Sequence, residues 1–164
     1  MEHVEHTFEP IYDSRSRILI LGTFPSVRSR EAGFYYHHPR NRFWAVLADL
    51  TGEACPETIP EKKAMLLKHH IAIWDVVSSC DIQGSSDSSI KNVRPADIGG
   101  LLDKAPIQQI FGNGGKACQL YHKYAEEKTG RGIICLPSTS PANAAYSLAR
   151  LTDIWRQAME PFIK

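Results

Sequence analysis

The chain has 164 residues, 43% of them apolar, enough for one domain (residues 1–164) with a sizeable core and too few for two. A net charge of +1 and a pI near 7.7 exclude a globally basic protein that would hold nucleic acid through its whole surface. No run approaches the ~20 apolar residues that cross a bilayer and no charged-then-apolar leader opens the chain, so a cytoplasmic protein with no membrane partner is expected.

In chain order, "RILILG" (17–22) is the first apolar run that ends in a turn signal and reads as a buried strand. "NRFWAVLADLTG" and "PEKKAMLLKHH" follow with helical spacing, then the strand-like "IAIWDVV" (71–77). The polar segment 78–97 reads as one long irregular connection. "IQQIFG" (107–112) predicts a third strand, "GKACQLYHKYAEEKTG" a helix, "GIICLP" (132–137) a fourth strand, and "AAYSLARLTDIWRQAMEPFI" (144–163) a closing helix. Strand alternating with helix implies an α/β fold, a three-layer α/β/α sandwich around a central four-stranded parallel sheet. In such a sheet the loops after the strand ends share one cleft: "GTFPS", "WD" with "GSSDSS", "GNGGKA" and "LPSTSPAN".

Charge is concentrated where composition hides it. Between positions 15 and 42 stand Arg15, Arg17, Arg28, Arg30, Arg40 and Arg42 against the single acid Glu31, a local charge of +5 by direct count. Arginine forks suit phosphate, and a solvated basic face is the plainer reading. Cys55, Cys80, Cys118 and Cys135 lie far apart without a CxxC pair and read as reduced thiols, with no metal site. His37 and His38 are adjacent and so converge poorly on one ion; a hydrogen bond that fixes the loop suits His38 better.

"GNGGKA" fits GxGxxA, but Leu136 and Pro137 stand where a dinucleotide fold needs an acid. A phosphate-binding P-loop would need glycine at Ile110 and a hydroxyl at Ala117, so no nucleotide cofactor is expected. A small-residue turn between strand and helix remains. Ser138 and Ser140 lack a GxSxG elbow and read as hydroxyls that accept a phosphate.

"GTFPS", "FYYHHPRNRFW" and "LPSTSPAN" together resemble the uracil-DNA glycosylase superfamily, over nearly the whole chain. Phe24 stands where the better-known branches carry the Asn or Asp that positions water, whereas Asn41 matches the catalytic Asn of the hypoxanthine-DNA glycosylase branch, also called DNA-deoxyinosine glycosylase. The resemblance implies a monofunctional, cofactor-free, monomeric enzyme on DNA that flips a deaminated base and hydrolyses its glycosidic bond, hypoxanthine first, with uracil or xanthine as further substrates. A mismatch-specific uracil glycosylase and a non-catalytic damaged-DNA-binding module are the alternatives. It assigns Asn41 to hold water by its carbonyl oxygen, although Asn41 also suits a helix cap. Tyr36 would stack on the base, with Phe24, Gly22, Thr23, Asn113 and either a pocket-wall or a core Trp74 around it. Ser138, Ser140, Asn143, Arg28 and Arg42 would contact the DNA. Ser140, Pro141 and Ala142 replace the leucine that other branches insert into the duplex.

Overall fold

The computed structural model describes residues 1–163. Its first half runs β1 (Glu2–Glu5), β2 (Ile18–Gly22), α1 (Val27–Ala32), α2 (Phe43–Thr51), α3 (Ile59–Lys68) and β3 (Ile71–Asp75). The second half runs β4 (Val77–Gln83), β5 (Ser86–Pro95), α4 (Ile98–Lys104), β6 (Gln109–Asn113), α5 (Gly115–Tyr124), α6 (Glu126–Thr129), β7 (Ile133–Leu136) and α7 (Leu148–Ile163).

Strands β3-β2-β6-β7, in that order, form the parallel sheet. β2 is buried at every residue, which is why it reads as an unbroken apolar run: both of its faces are covered. Alternation divides the strands between two cores. Leu19, Leu21, Ala72 and Ile110 pack with Ile98 and Leu101 of α4 and Leu120 and Tyr121 of α5. Ile18, Ile20, Ile71, Ile73 and Phe111 pack with Phe43 and Leu47 of α2, Leu66 of α3, and Leu151 and Trp155 of α7. The three-layer α/β/α sandwich is therefore the observed fold. After β2 the chain continues to β3 on one side and later to β6 and β7 on the other, so β2 and β6 flank a topological switch point, where a crevice opens beyond the strand ends.

Residues 78–97 are not irregular. They make most of an antiparallel hairpin, β4 with β5, to which β1 adds a third strand. Their composition is polar because only one face meets the core, through Cys80, Ile82 and Ile90, while Gly84, at φ 59°, turns the tip. β1, sequence EHVE, carries one apolar residue and gives no strand signal. The expected helix 115–130 breaks into α5 and the single turn α6, closed by Gly130 at φ 66°. Cys118 and Cys135 are not free thiols: packing α5 on the edge strand β7 brings their Cα atoms to 6.0 Å, and they form a disulfide. Cys55 and Cys80 remain free. No helix among the described residues is long and apolar enough to cross a membrane.

Trp155 links this core to the loop after β7. It is fully buried, meets Phe43 edge-on, and its indole N–H donates to the Pro137 carbonyl at 2.9 Å. Trp155→Phe keeps most of the volume and orphans that carbonyl, so denaturant melts should show a loss of about 1 to 3 kcal/mol; Trp155→Ala should cost about 3 to 5 kcal/mol. Equal stability of the two variants would mean that the hydrogen bond, and not the ring, carries the contribution.

Candidate active site

All four strand-end loops meet around one cavity of about 370 Å³. Gly22, Thr23, Phe24 and Ser26 line it from the loop after β2, Asp75 from the end of β3, Asn113 from the end of β6, and Ser138, Thr139 and Ser140 from the loop after β7. Tyr35, Tyr36, His38 and Asn41 complete one wall, and Ser85 and Asp87 of the hairpin tip reach in from the other side.

The polar groups at the back form one chain. The Asn113 carbonyl accepts the Thr139 backbone N–H at 3.0 Å, and the Asn113 amide donates to the Thr139 hydroxyl oxygen at 3.0 Å. That hydroxyl donates onward to the Asn41 carbonyl oxygen at 2.8 Å, which also accepts the Phe43 backbone N–H at 3.0 Å where α2 begins. Asn41 is not the helix cap its position suggested: Arg42 holds the cap position of α2 without a side-chain cap bond, and Asn41 ties the turn just before it, with both acceptor directions of its oxygen taken. This corrects the expected role for its carbonyl. What Asn41 has left for a ligand is its amide NH₂.

Tyr36 occupies the left-handed region at φ 50°, a costly conformation for a residue with a side chain. The Trp44 indole N–H, donating to the Tyr36 carbonyl at 3.2 Å, helps to hold it there, and one face of the Tyr36 ring stacks on Phe43 at 4.0 Å between centroids. The other face is left for the cavity. Its hydroxyl is buried, faces the Asn113 amide and makes no well-formed hydrogen bond; burial, reinforced by the Asp75 charge, drives its acidity far below that of an ordinary phenol, so it stays a neutral donor. Gly22 is glycine for a steric reason: a Cβ there would collide with Asp75 Oδ1 and lie 2.8 Å from the Tyr36 oxygen. Asp75 in turn pairs through Oδ2 with His6 Nε2 at 2.8 Å, both side chains nearly inaccessible.

Residues 9–159 match the family model of the uracil DNA glycosylase superfamily. The chain belongs to that superfamily. It is 35% identical over 154 residues to a protein of Methanosarcina acetivorans named hypoxanthine DNA glycosylase, covering 92% of this chain and 95% of the relative. A protein of the same name from Methanosarcina barkeri is 33% identical over 112 residues, 67% of this chain and 71% of the relative. A solution NMR structure from Methanosarcina acetivorans, provisionally named a uracil DNA glycosylase, superposes with a TM-score of 0.77 at 31% identity, covering 92% of this chain and 95% of that one.

Within the superfamily frame, Gly22, Thr23, Phe24, Tyr36, Asn41, Asn113, Ser138 and Ser140 do line the cavity. Trp74 does not. It precedes Asp75 on β3, so the pleat sends it the other way, half-buried against the two cores. Nor is Arg42 a free phosphate ligand: its guanidinium donates to the carbonyls of Ser140 at 3.0 Å, Asn143 at 2.9 Å and Tyr146. Asn143 is likewise internal to this loop, its amide donating to the Ser138 carbonyl at 3.0 Å. Arg30 donates to the Gly84 carbonyl at 2.8 Å and lies over the Phe24 ring, and Arg17 points toward the end of α7. Arg15 precedes β2, at the end of the sheet away from the cavity. Of the six arginines, Arg28 and Arg40 are thus the two that are both exposed and beside lining residues. His38 fixes its loop as expected, accepting the Arg40 backbone N–H at 3.1 Å, while the turn at Gly114 touches Ser138 so closely that a Cβ would lie 3.1 Å away. Thr139, His6, Asp75 and Asp87 had not been singled out.

Affinity for duplex DNA should fall with salt with a slope near −2, at roughly 0.9 per neutralised phosphate. Arg28→Ala or Arg40→Ala should flatten it by about one unit. Arg42→Ala should leave the slope alone and instead lower stability by about 1 to 3 kcal/mol through its orphaned carbonyls. A flattened slope in the Arg42 variant, read by salt titration of binding, would contradict the clamp.

Proposed function

We propose that this superfamily member is a monofunctional DNA glycosylase, acting as a cytoplasmic monomer, that flips hypoxanthine out of DNA and hydrolyses its N-glycosidic bond, with uracil or xanthine as lesser substrates. The observation that carries the choice is the donor set. The amides of Asn41 and Asn113 and the unpartnered Tyr36 hydroxyl all belong to the lining of one cavity, beside an aromatic face. The names of the Methanosarcina relatives point the same way.

Extruding a base costs a few kcal/mol of stacking and pairing, recovered when the base stacks again and its edge is hydrogen-bonded. Here it would lie on the free face of Tyr36, extending the Tyr36–Phe43 stack. As the glycosidic bond breaks, electrons accumulate on the purine and spread to its exocyclic oxygen and ring nitrogens. Donors fixed beforehand at those atoms stabilise that charge without reorganising. Adenine carries an amino group in place of the oxygen, so a donor aimed there would be left buried and unpaired, at about 1 to 3 kcal/mol. Phe24, apolar where other branches hold water, closes the cavity against solvent instead.

Asn41→Asp separates the acceptor role of the side chain from donation. The carboxylate still accepts from Phe43 and Thr139, so α2 should form normally, while excision should fall about 10² to 10³-fold because the amide donor is gone. An active Asn41→Asp enzyme would show that the amide is not used.

The substrate assignment is checked by single-turnover release from matched duplexes bearing hypoxanthine, uracil, xanthine or a T:G mismatch. Hypoxanthine should be released fastest and adenine not at all. Uracil about tenfold faster than hypoxanthine, a margin of about 1.4 kcal/mol in barrier, would favour a mismatch-specific uracil enzyme. Tight binding with no release would favour a silent damage-binding module.

A further inference from the structure

Donors can stabilise a departing base, but they cannot take the proton that the attacking water must lose. The Asn41 carbonyl is occupied twice over, and Phe24 offers no polar side-chain atom. Two carboxylates line the cavity, Asp75 and Asp87. Asp75 sits on the floor at the end of β3, 3% exposed, bound to His6 and pressed over Gly22. Asp87 sits at the other depth, near the tip of the β4–β5 hairpin, its outer side in solvent while it still lines the cavity. The tip is anchored on α1: the Ser85 hydroxyl accepts the Val27 N–H at 2.9 Å, and Arg30 holds the Gly84 carbonyl. Among the described residues no cation lies within ion-pair distance of Asp87.

A flipped nucleotide enters base first, and its sugar stays at the mouth because the phosphates on either side tether it. The anomeric carbon therefore lies at the level of Asp87, not of Asp75. We propose that the Asp87 carboxylate is the general base that orients the attacking water and accepts its proton, an inference that rests on the glycosylase reading above. In this step the water oxygen bonds to the anomeric carbon and the bond from that carbon to the purine nitrogen breaks, its electron pair leaving with the base. One water proton passes to Asp87 and from there to solvent or to the departed purine anion, leaving a free base and a hydroxyl on the sugar.

The surroundings suit the task. Burial of the carboxyl group, then the Asp75 charge, push the Asp87 pKa up to about 6, opposed by the Thr23 hydroxyl and the Lys116 charge. His38 and the neutral Tyr36 share the cavity, Arg30 lies behind Phe24, and the Cys80 thiol, pushed up to about 11, is beneath the hairpin. Near neutral pH the group is thus mostly ionised and more basic than an ordinary aspartate.

The test is single-turnover excision of hypoxanthine from a duplex, followed from about pH 5 to about pH 8.5, with duplex affinity measured alongside. The wild-type rate should rise through an apparent pKa of about 6 and then level off. Asp87→Asn should lower the plateau by about 10² to 10⁴-fold and abolish the rising limb, with affinity unchanged within a few-fold. It should melt no earlier than wild type above pH 6, because the amide imitates the protonated form that the fold prefers. Asp87→Glu should restore a rising limb at a reduced plateau, and Ser86→Ala, one residue outside the cavity, should behave as wild type. An Asp87→Asn enzyme with wild-type rates, or a wild type whose activity falls above pH 6, overturns the assignment. A wild type that releases no deaminated base overturns the glycosylase reading itself and this one with it.

Discussion

Thr139 is fully buried, and it uses every polar group it has. Its N–H and its hydroxyl oxygen hold the two ends of the Asn113 amide, its hydroxyl proton goes to Asn41, and its carbonyl accepts the Arg42 backbone N–H at 3.1 Å. One side chain thus locks the end of β6, the loop after β7 and the start of α2 into a single relative position. Networks of this kind are all or nothing, since in a low dielectric each unpaired member costs more than its hydrogen bond contributed. The reach is longer than three residues. The start of α2 fixes Phe43, Phe43 is the platform under Tyr36, and Tyr36 with Asp75 is the reason that Gly22 must lack a side chain.

Arg42 completes the same construction from outside. Three loop carbonyls that no strand or helix satisfies converge on one guanidinium, whose planar fork suits several fixed acceptors better than a lysine would. The loop after β7 is therefore rigid without regular structure. Rigidity matters because Ser138 and Ser140 spend their oxygens as turn acceptors, from the N–H groups of Ser140 and Ala142, and keep their O–H groups to donate. A rigid pair of donors at the cavity rim can meet a phosphate without first being ordered.

What could be read from the sequence is what depends on pattern. Four apolar runs ending in turn residues determine a parallel sheet, and a parallel sheet brings the residues at and after its strand ends together, so pattern alone puts Gly22, Asn113, Ser138 and Ser140 in one cleft. What could not be read depends on side-chain direction. Six arginines add up to a patch on paper, yet whether each faces solvent or a loop carbonyl is settled by residues a hundred positions away, as Arg42 and Asn143 show. Trp74 fails for a smaller reason, one step of strand parity. His6 follows a strand without an apolar pattern, and its partner Asp75 lies 69 residues on. The Cys118–Cys135 pair likewise arises only from the packing of α5 against β7. Asp87 was inside a segment whose one-faced burial made a hairpin look like a loop.

The hairpin also divides the chemistry by depth. Donors that stabilise an anion act best where water is excluded, and Asn113, the last residue of β6, and the Tyr36 hydroxyl beside it lie deep. A proton acceptor has the opposite need, because it must meet a water molecule and pass its proton out again. The parallel sheet ends at the cavity floor and has no residue to offer at the mouth, so such a group must come from an added element. The antiparallel β4–β5 pair, projecting past the ends of the central strands and tied to α1 at its tip, is that element. It supplies an aspartate whose carboxyl group faces protein on one side and solvent on the other.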